Sequence, residues 1–175
     1  MSVIQELKTQ PSVSMEVITP DYAEELLRGN FDNRKVQERV VQRYARDITS
    51  GDWKVNGDSI RIAKTGQVLD GQHRLLAVIK AKRPITSLVV RNLDADVQAT
   101  IDTGKPRRLT DVLAMRGEKY HSVLASSARL VRVFDVEKRL AASPGFVPSH
   151  SELLELIDNN PRLAVSAQKG TLWSR

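Results

Sequence analysis

The feature that most constrains the fold is a change of hydrophobic pattern at Asp70-Gly71. Before it, Val68 and Leu69 end a short apolar run, and after it an apolar helical run starts at Leu75. The residues between the two runs are polar or small: Gly71, Gln72, His73 and Arg74. A strand that turns directly into a helix requires a domain in which a sheet and helices pack together.

The residues before and after this junction predict a small mixed sheet flanked by helices. Residues 1–14 show no clear period and are expected to form an arm or an edge strand. The elements expected next are a strand over 16–18, a helix capped by Thr19 and ending at Arg28, a helix over 36–48 ended by Gly51, a hairpin of strands 59–63 and 67–69, a helix from Gly71 to about Lys82, and a strand over 85–90. Tyr44 and Trp53 are expected to pack in or against the core.

The second part of the sequence has only helical patterns. The expected helices are 95–101, 111–116 with Thr110 as N-cap, 121–142, 149–158 opened by a capping box at Ser149, and 160–170 ended by Gly170. We therefore predict an α+β fold: a small mixed sheet flanked by helices over 1–113, then an all-helical region over 114–175. The final residues, TLWSR, lack a polar tail, so we expect the sequence to be part of a longer chain.

Composition excludes several classes of site. The chain has no cysteine, which rules out disulfides, thiolate metal sites and cysteine nucleophiles. It has no apolar run of the roughly 20 residues that span a membrane and no secretion signal, so we expect a cytoplasmic protein without a membrane partner. Lys and Arg number 27 against 21 acidic residues, a net charge of +6, which is compatible with a phosphate-bearing partner. A biased genome composition would give the same excess.

The junction itself has the chemistry of an anion site. The first backbone N–H groups of a helix have no partner within the helix, and the helix dipole favours negative charge there. Gly71 lets the backbone turn and lets a ligand approach closely. Arg74 can donate two parallel hydrogen bonds to a phosphate. The alternative is a purely structural turn in which Asp70 caps the helix and Arg74 pairs with a surface acid. The sequence leaves both interpretations open.

In this setting Gly71-Gln72-His73-Arg74 resembles the signature of the ParB/sulfiredoxin-like superfamily. ParB proteins carry Gly-Glu-Arg-Arg there, and sulfiredoxins carry Gly-Cys-His-Arg. The form Asp-Gly-Gln-His-Arg is similar to that of phage and bacterial proteins described as ParB-like nuclease domains. The resemblance extends over about residues 16–113. It implies a ParB/sulfiredoxin-like fold in which Gly71, Gln72, His73 and Arg74 line a triphosphate pocket, with a nucleoside triphosphate as ligand, Mg²⁺ as cofactor and, as in ParB, a DNA-related role and dimerisation.

ParB proteins also carry a second phosphate- and magnesium-binding motif, Glu-Asn-x-x-Arg, after the next strand. Residues 101–108 occupy that place here, without matching the motif. Their chemistry suggests Asp102 as a magnesium ligand and the following residues as nucleotide-binding: Thr103, Gly104, Lys105, Arg107 and Arg108.

Departures from the family pattern limit the chemistry. Gln72 stands where sulfiredoxins have cysteine and ParB has glutamate, which excludes the sulfiredoxin reaction and removes a general base. His73 is then the candidate for proton transfer, with Asp70 as a second catalytic candidate in an NTPase or phosphoryl-transfer reaction. Simple phosphate binding by His73 is the favoured alternative.

Two other functions stay open at this point. One is a DNA-binding regulatory protein that binds no free nucleotide; the other is a metal-dependent nuclease built on Asp70 and Asp102. A helix-turn-helix over 151–169 would suit DNA binding, but it offers few DNA contacts: Arg162, Gln168 and Lys169. We expect these helices to act mainly as a packing support.

Overall fold

The computed structural model describes residues 10–30, 35–101, 107–138 and 145–173. The chain divides into two compact units, Met1–Thr103 and Gly104–Arg175. The first contains a four-stranded mixed sheet and helices, and the second contains helices alone among its described residues. The α+β class with an all-helical second part is therefore confirmed. No helix in the described part of the chain is long and apolar enough to cross a membrane.

The first unit is built around four strands in the order β1-β4-β2-β3. Its elements are β1 (Ser12–Ile18), α1 (Pro20–Arg28), α2 (Glu38–Ser50), β2 (Ser59–Ala63), β3 (Val68–Asp70), α3 (Gln72–Ala81), β4 (Ile85–Leu93) and a 3₁₀ helix (Ala95–Thr100). β2 and β3 form an antiparallel hairpin, β4 lies parallel to β2, and β1 pairs antiparallel with β4. The connection from the hairpin to β4 is α3, so the junction lies at the end of β3, one of the two edge strands of the sheet.

Local signals define the ends of the first two helices as predicted. The Thr19 hydroxyl accepts the Tyr22 amide at 3.2 Å, and Pro20 occupies the first turn of α1. Gly51 ends α2 in the left-handed conformation, with φ of +87°. The start of α2 is later than expected, because the helix begins at Glu38 and not at Val36.

One core holds the helices against one face of the sheet. Its fully buried side chains come from strands and helices alike: Ile18, Ala23, Ile60, Val68, Leu75, Ala77, Val78 and Val89. Tyr44 and Trp53 pack against this core and meet edge to face with ring centroids 5.8 Å apart, which confirms their predicted packing role. The junction between β3 and α3 is thus held by apolar packing on both of its sides.

The second unit is a set of short helices around its own core. Its elements are α4 (Leu109–Met115), α5 (His121–Glu137), α6 (His150–Asn159) and α7 (Arg162–Trp173). Leu109 and Leu113 belong to this core together with Leu124 and Leu153. The two leucines of α4 therefore belong to the helical unit, although the sequence pattern placed residues up to 113 with the sheet domain.

Helix ends in the second unit follow the sequence signals only in part. The capping box at Ser149 is confirmed: its hydroxyl accepts the Glu152 amide at 3.2 Å, and its own amide donates to the Glu152 carboxylate at 2.6 Å. Thr110 is not an N-cap. α4 begins at Leu109, two residues before the predicted start at Asp111, and the amide of its N-cap residue Arg108 donates to Asp111 Oδ2 at 2.8 Å. Gly170 does not end α7, because a single glycine costs a helix only about 1 kcal/mol.

The long helix α5 is shorter than its amphipathic pattern suggested. It ends at Glu137, and Lys138 caps it in the left-handed conformation with φ of +56°. The predicted continuation to residue 142 falls within 139–144, which lie outside the described residues.

Candidate functional site

The junction places a glycine at the N-cap of α3, directly after β3. Gly71 has φ of +102°, a value that side-chain-bearing residues rarely adopt. A Cβ atom on Gly71 would lie 3.0 Å from Ile60 Cγ1 and 3.3 Å from Ile60 Cα. Position 71 therefore requires glycine for two reasons: the positive φ of the turn and the close approach of Ile60 on β2.

The side-chain carboxylate of Asp70 stabilises the turn by accepting hydrogen bonds. Its Oδ1 accepts the Gly71 amide at 2.7 Å, and its Oδ2 accepts from Arg74 Nη2 at 2.9 Å. A second guanidinium, that of Arg61, lies 3.6 Å from the same Oδ2. Only 13% of the Asp70 side chain is exposed. This carboxylate is thus a partly buried acceptor between two cations.

Arg74 points back over the hairpin and is also 13% exposed. Its Nη2 donates to Asp70 and, at 2.9 Å, to the carbonyl of Ser59 on β2. Its Nη1 is buried, and no acceptor among the described residues lies within hydrogen-bond distance of it. The expected structural pairing of Arg74 with an acid is present, with Asp70 as that acid, and one donor group of the guanidinium remains to be satisfied.

His73 and Gln72 are buried at the start of the helix, with 7% and 6% of their surfaces exposed. His73 Nε2 accepts the backbone amide of Gln37 at 3.0 Å, and Gln37 is the N-cap residue of α2. This bond uses the Nε2 lone pair and gives His73 a positioning role, since it joins the first turns of two helices. Proton transfer through His73 Nε2 would require that bond to open.

The second predicted motif is described only at its end. Asp102, Thr103, Gly104 and Lys105 lie outside the described residues. Arg107 and Arg108 are exposed residues of the second unit, directly before α4. Within the described ranges, no group of three or more His, Cys, Asp or Glu side chains could hold a metal ion.

Three contact residues of the junction escaped sequence analysis: Arg61, Ser59 and Gln37. Arg61 lies directly opposite Asp70 in the hairpin register, so the predicted hairpin could have identified it. A register shift between Arg61 and Ile62 obscures that pairing, because it displaces the simple alternation of the two strands. Gln37 is 36 residues from His73 in sequence, and no local pattern indicates that contact.

A second feature of the first unit is a row of arginines on the outer side of α2. Arg39, Arg43 and Arg46 recur at spacings of four and three residues, so they share one helix face. The buried residues of α2 lie on the opposite side: Val41, Ala45 and Ile48. Arg39 is exposed, and the Arg43 guanidinium lies 5.2 Å from the centre of the Tyr44 ring. We call Arg39, Arg43 and Arg46 the arginine row.

No protein-family model matches the chain, and neither the curated proteins nor the solved structures contain a significant match to it. Membership of the ParB/sulfiredoxin-like superfamily consequently depends on the resemblance of Gly71 through Arg74 and stays a prediction.

Proposed function

We propose that the protein binds a phosphate ester, with a nucleoside triphosphate as the leading candidate, at the start of α3. In this proposal the chain is a cytoplasmic member of the ParB/sulfiredoxin-like superfamily. The observation that carries it is the buried Nη1 of Arg74, a donor without an acceptor among the described residues. An anionic oxygen at the helix start would satisfy this donor and would also meet the positive end of the α3 dipole.

The charges around the junction support an anionic ligand. Two guanidinium groups, those of Arg61 and Arg74, surround the single carboxylate of Asp70. The Arg61 side chain is 33% exposed, so it can turn toward a ligand without unfolding the hairpin. The net charge of the cluster is positive, and partial burial strengthens its attraction for phosphate relative to open water.

The same contacts favour binding over catalysis. Asp70 competes with a ligand for Arg74, and His73 is engaged with the Gln37 amide. Mg²⁺ would be held mainly by the triphosphate oxygens, since this ion keeps several waters and needs few protein carboxylates. The Gln98 side chain donates to the Leu69 carbonyl at 3.5 Å, so the chain passes β3 shortly before Asp102. Asp102 stays the proposed carboxylate for the ion.

Calorimetric titration tests the proposal. ATP, CTP and GTP, each with Mg²⁺, and pyrophosphate alone are titrated into the full chain and into Arg61→Gln and Arg74→Lys variants. We expect at least one triphosphate to bind, and each substitution to weaken it about tenfold, the equivalent of one charge-assisted hydrogen bond. Thermal unfolding of each variant confirms that it is folded before titration.

Lys80→Gln is the matched control, because it removes a cation from the last turn of the same helix. Lys80 pairs with Glu38 at the surface and lies far from Gly71 along the helix. The control should bind like the wild type. Failure of all four ligands to bind, or equal binding by the wild type and both arginine variants, would contradict the proposal.

The arginine row supports a second candidate function, contact with the phosphodiester backbone of duplex DNA. Arg39 and Arg46 are separated by about 10 Å along the helix axis, a distance that spans neighbouring phosphates. The outer face of α2 presents polar residues beside the arginines, among them Gln42 and Ser50. A membrane surface would call for apolar side chains on that face. This function suits the DNA-related role that the resemblance implies.

Fluorescence anisotropy with a labelled DNA duplex tests the second candidate across a series of salt concentrations. An Arg39→Gln, Arg43→Gln double variant should bind more weakly, and the slope of log affinity against log salt should fall by about two. The control double variant, Arg28→Gln with Lys64→Gln, removes the same charge from exposed positions elsewhere in the unit. Equal salt slopes for the two double variants would exclude the arginine row as the contact surface.

A further inference from the structure

The two edge strands of the sheet differ in length. β3, at one edge, is only three residues long, whereas β1, at the other, pairs with β4 over seven residues without a register shift. β1 contains no proline, lysine or bulge, which are three of the devices that protect an edge strand, and its one charged side chain, Glu16, is paired within the unit. No strand in the described part of the chain pairs with the outer edge of β1.

An apolar row on β1 is exposed beside this edge. Val13, Met15 and Val17 alternate along the strand and are 63%, 54% and 61% exposed. They lie on the face away from the helices, because Ile18 and Glu16 of the alternate row contact the core and α1. Three consecutive outward positions of one strand are thus apolar.

We propose that β1 pairs with β1 of a second copy of this chain, antiparallel, about a two-fold axis at Met15. This register sets Val13 against Val17 of the other copy and Met15 against its counterpart. The apolar rows then become cross-strand neighbours, about 5 Å apart at their Cβ atoms. The two sheets join into one, and the contact is closed and symmetric.

The polar row of β1 fits the same register. Ser14 falls opposite Glu16 of the other copy, so no two carboxylates face each other across the axis. Glu16 accepts two hydrogen bonds from Arg91, at 3.1 and 2.9 Å, and one from Tyr22 at 2.9 Å. The bonds from Arg91 are the main reason that the pKa of Glu16 falls to about 2, and its charge is balanced within each copy. Ser14 already donates to Glu16 at 2.7 Å within one strand, the same pairing of groups.

Self-complementarity is the reason to prefer a second copy over an unrelated peptide. From residue 13 to residue 17, each apolar side chain meets an apolar one and Ser14 meets Glu16 when the strand is paired with itself. The strand is about 23 Å long, and its pairing covers less than the roughly 800 Å² per partner of a standard stable interface. The dimer is therefore expected to dissociate at micromolar concentrations. This inference is independent of the phosphate site.

Sedimentation equilibrium of the full chain from about 1 µM to about 1 mM tests the inference. We expect the wild type to pass from monomer to dimer in this range. Met15→Lys sets two ammonium groups against each other at the axis and should weaken association at least tenfold. Val55→Lys is the matched control, since Val55 has the same 54% exposure in a loop and should leave association unchanged. Dimerisation that is unaffected by Met15→Lys overturns the inference.

Three further measurements identify what pairs with the outer edge of β1. An equimolar mixture of Met15→Lys and Met15→Glu chains should regain dimers, because opposite charges then meet at the axis. Met15→Cys should form a disulfide-linked dimer on mild oxidation, while Val55→Cys should not. Since the chain has no native cysteine, no other disulfide can form in either variant. A wild type that stays monomeric while a variant lacking residues 1–9 dimerises would assign the edge to the chain's own N-terminal segment and overturn the inference.

Discussion

A Gly71→Ala variant should lose about 2–4 kcal/mol of unfolding free energy, a substantial fraction of the roughly 5–15 kcal/mol that is typical of a folded domain. The alanine would have to keep φ near +102° at a cost of about 1–2 kcal/mol. Its methyl group would also press on Ile60, which is fully buried and anchored in β2. Overpacking of this kind costs about 1–3 kcal/mol.

Chemical denaturation of Gly71→Ala and Gly57→Ala separates the two causes. Gly57 has a similar φ of +90°, but an added Cβ there meets nothing within 4 Å. We expect Gly57→Ala to lose only about 1–2 kcal/mol, the cost of the backbone conformation alone. Equal losses of unfolding free energy in the two variants would show that the contact with Ile60 does not contribute to the cost of Gly71→Ala.

An Arg74→Met variant should be destabilised by about 3 kcal/mol in the absence of ligand. Methionine fills a similar volume but leaves the Ser59 carbonyl without its donor and removes the closest cation from Asp70. Asp70 then depends on the Gly71 amide and on Arg61 at 3.6 Å. A partly buried carboxylate that loses its main partner accounts for most of this loss.

Thermal and urea unfolding of a double-mutant cycle measures this coupling. Asp70→Asn combined with Arg74→Met should be less destabilised than the sum of the two single variants, because the unpaired charge is gone. Lys80→Met, which breaks an exposed ion pair on the same helix, should change stability little. Additive single and double variants would mean that Asp70 and Arg74 do not depend on each other.

The parts of the fold that the sequence predicted are those defined by short-range signals. The Thr19 cap, the Gly51 helix end and the Ser149 capping box each depend on residues within four positions of one another. The strand-to-helix change at Gly71 is equally local, since the hydrophobic period switches over a few residues. These signals correctly predict that a strand ends at Asp70 and that a helix begins directly after Gly71.

What the sequence did not predict depends on contacts between distant residues. Gly170 lies inside α7, because one glycine costs a helix only about 1 kcal/mol and does not end it by itself. Leu109 belongs to the second core because its partners, among them Leu124 and Leu153, come later in the chain. At the site, the amide that His73 accepts and the carbonyl that Arg74 donates to lie 36 and 15 residues away. Periodicity carries no information about such partners.

The contacts of Asp70 and His73 give the junction a structural role that exists before any ligand binds. A glycine forced by the turn, a histidine that joins two helices and an arginine held against the hairpin together make a rigid helix start. A rigid helix start of this kind is also a suitable base for an anion, because its donors are already oriented. Stability and the proposed phosphate binding thus depend on the same residues.

The most direct measurement of phosphate binding at this junction is heteronuclear NMR of the labelled full chain during titration with ATP and Mg²⁺, and separately with pyrophosphate. Binding at the start of α3 should shift the backbone amides of residues 71–75 and the Arg74 side-chain signals first, and Lys80→Gln should not alter these shifts. If the amides of residues 71–75 stay fixed while the ligand saturates the protein elsewhere, or if no amide moves at all, the phosphate site is not at this junction.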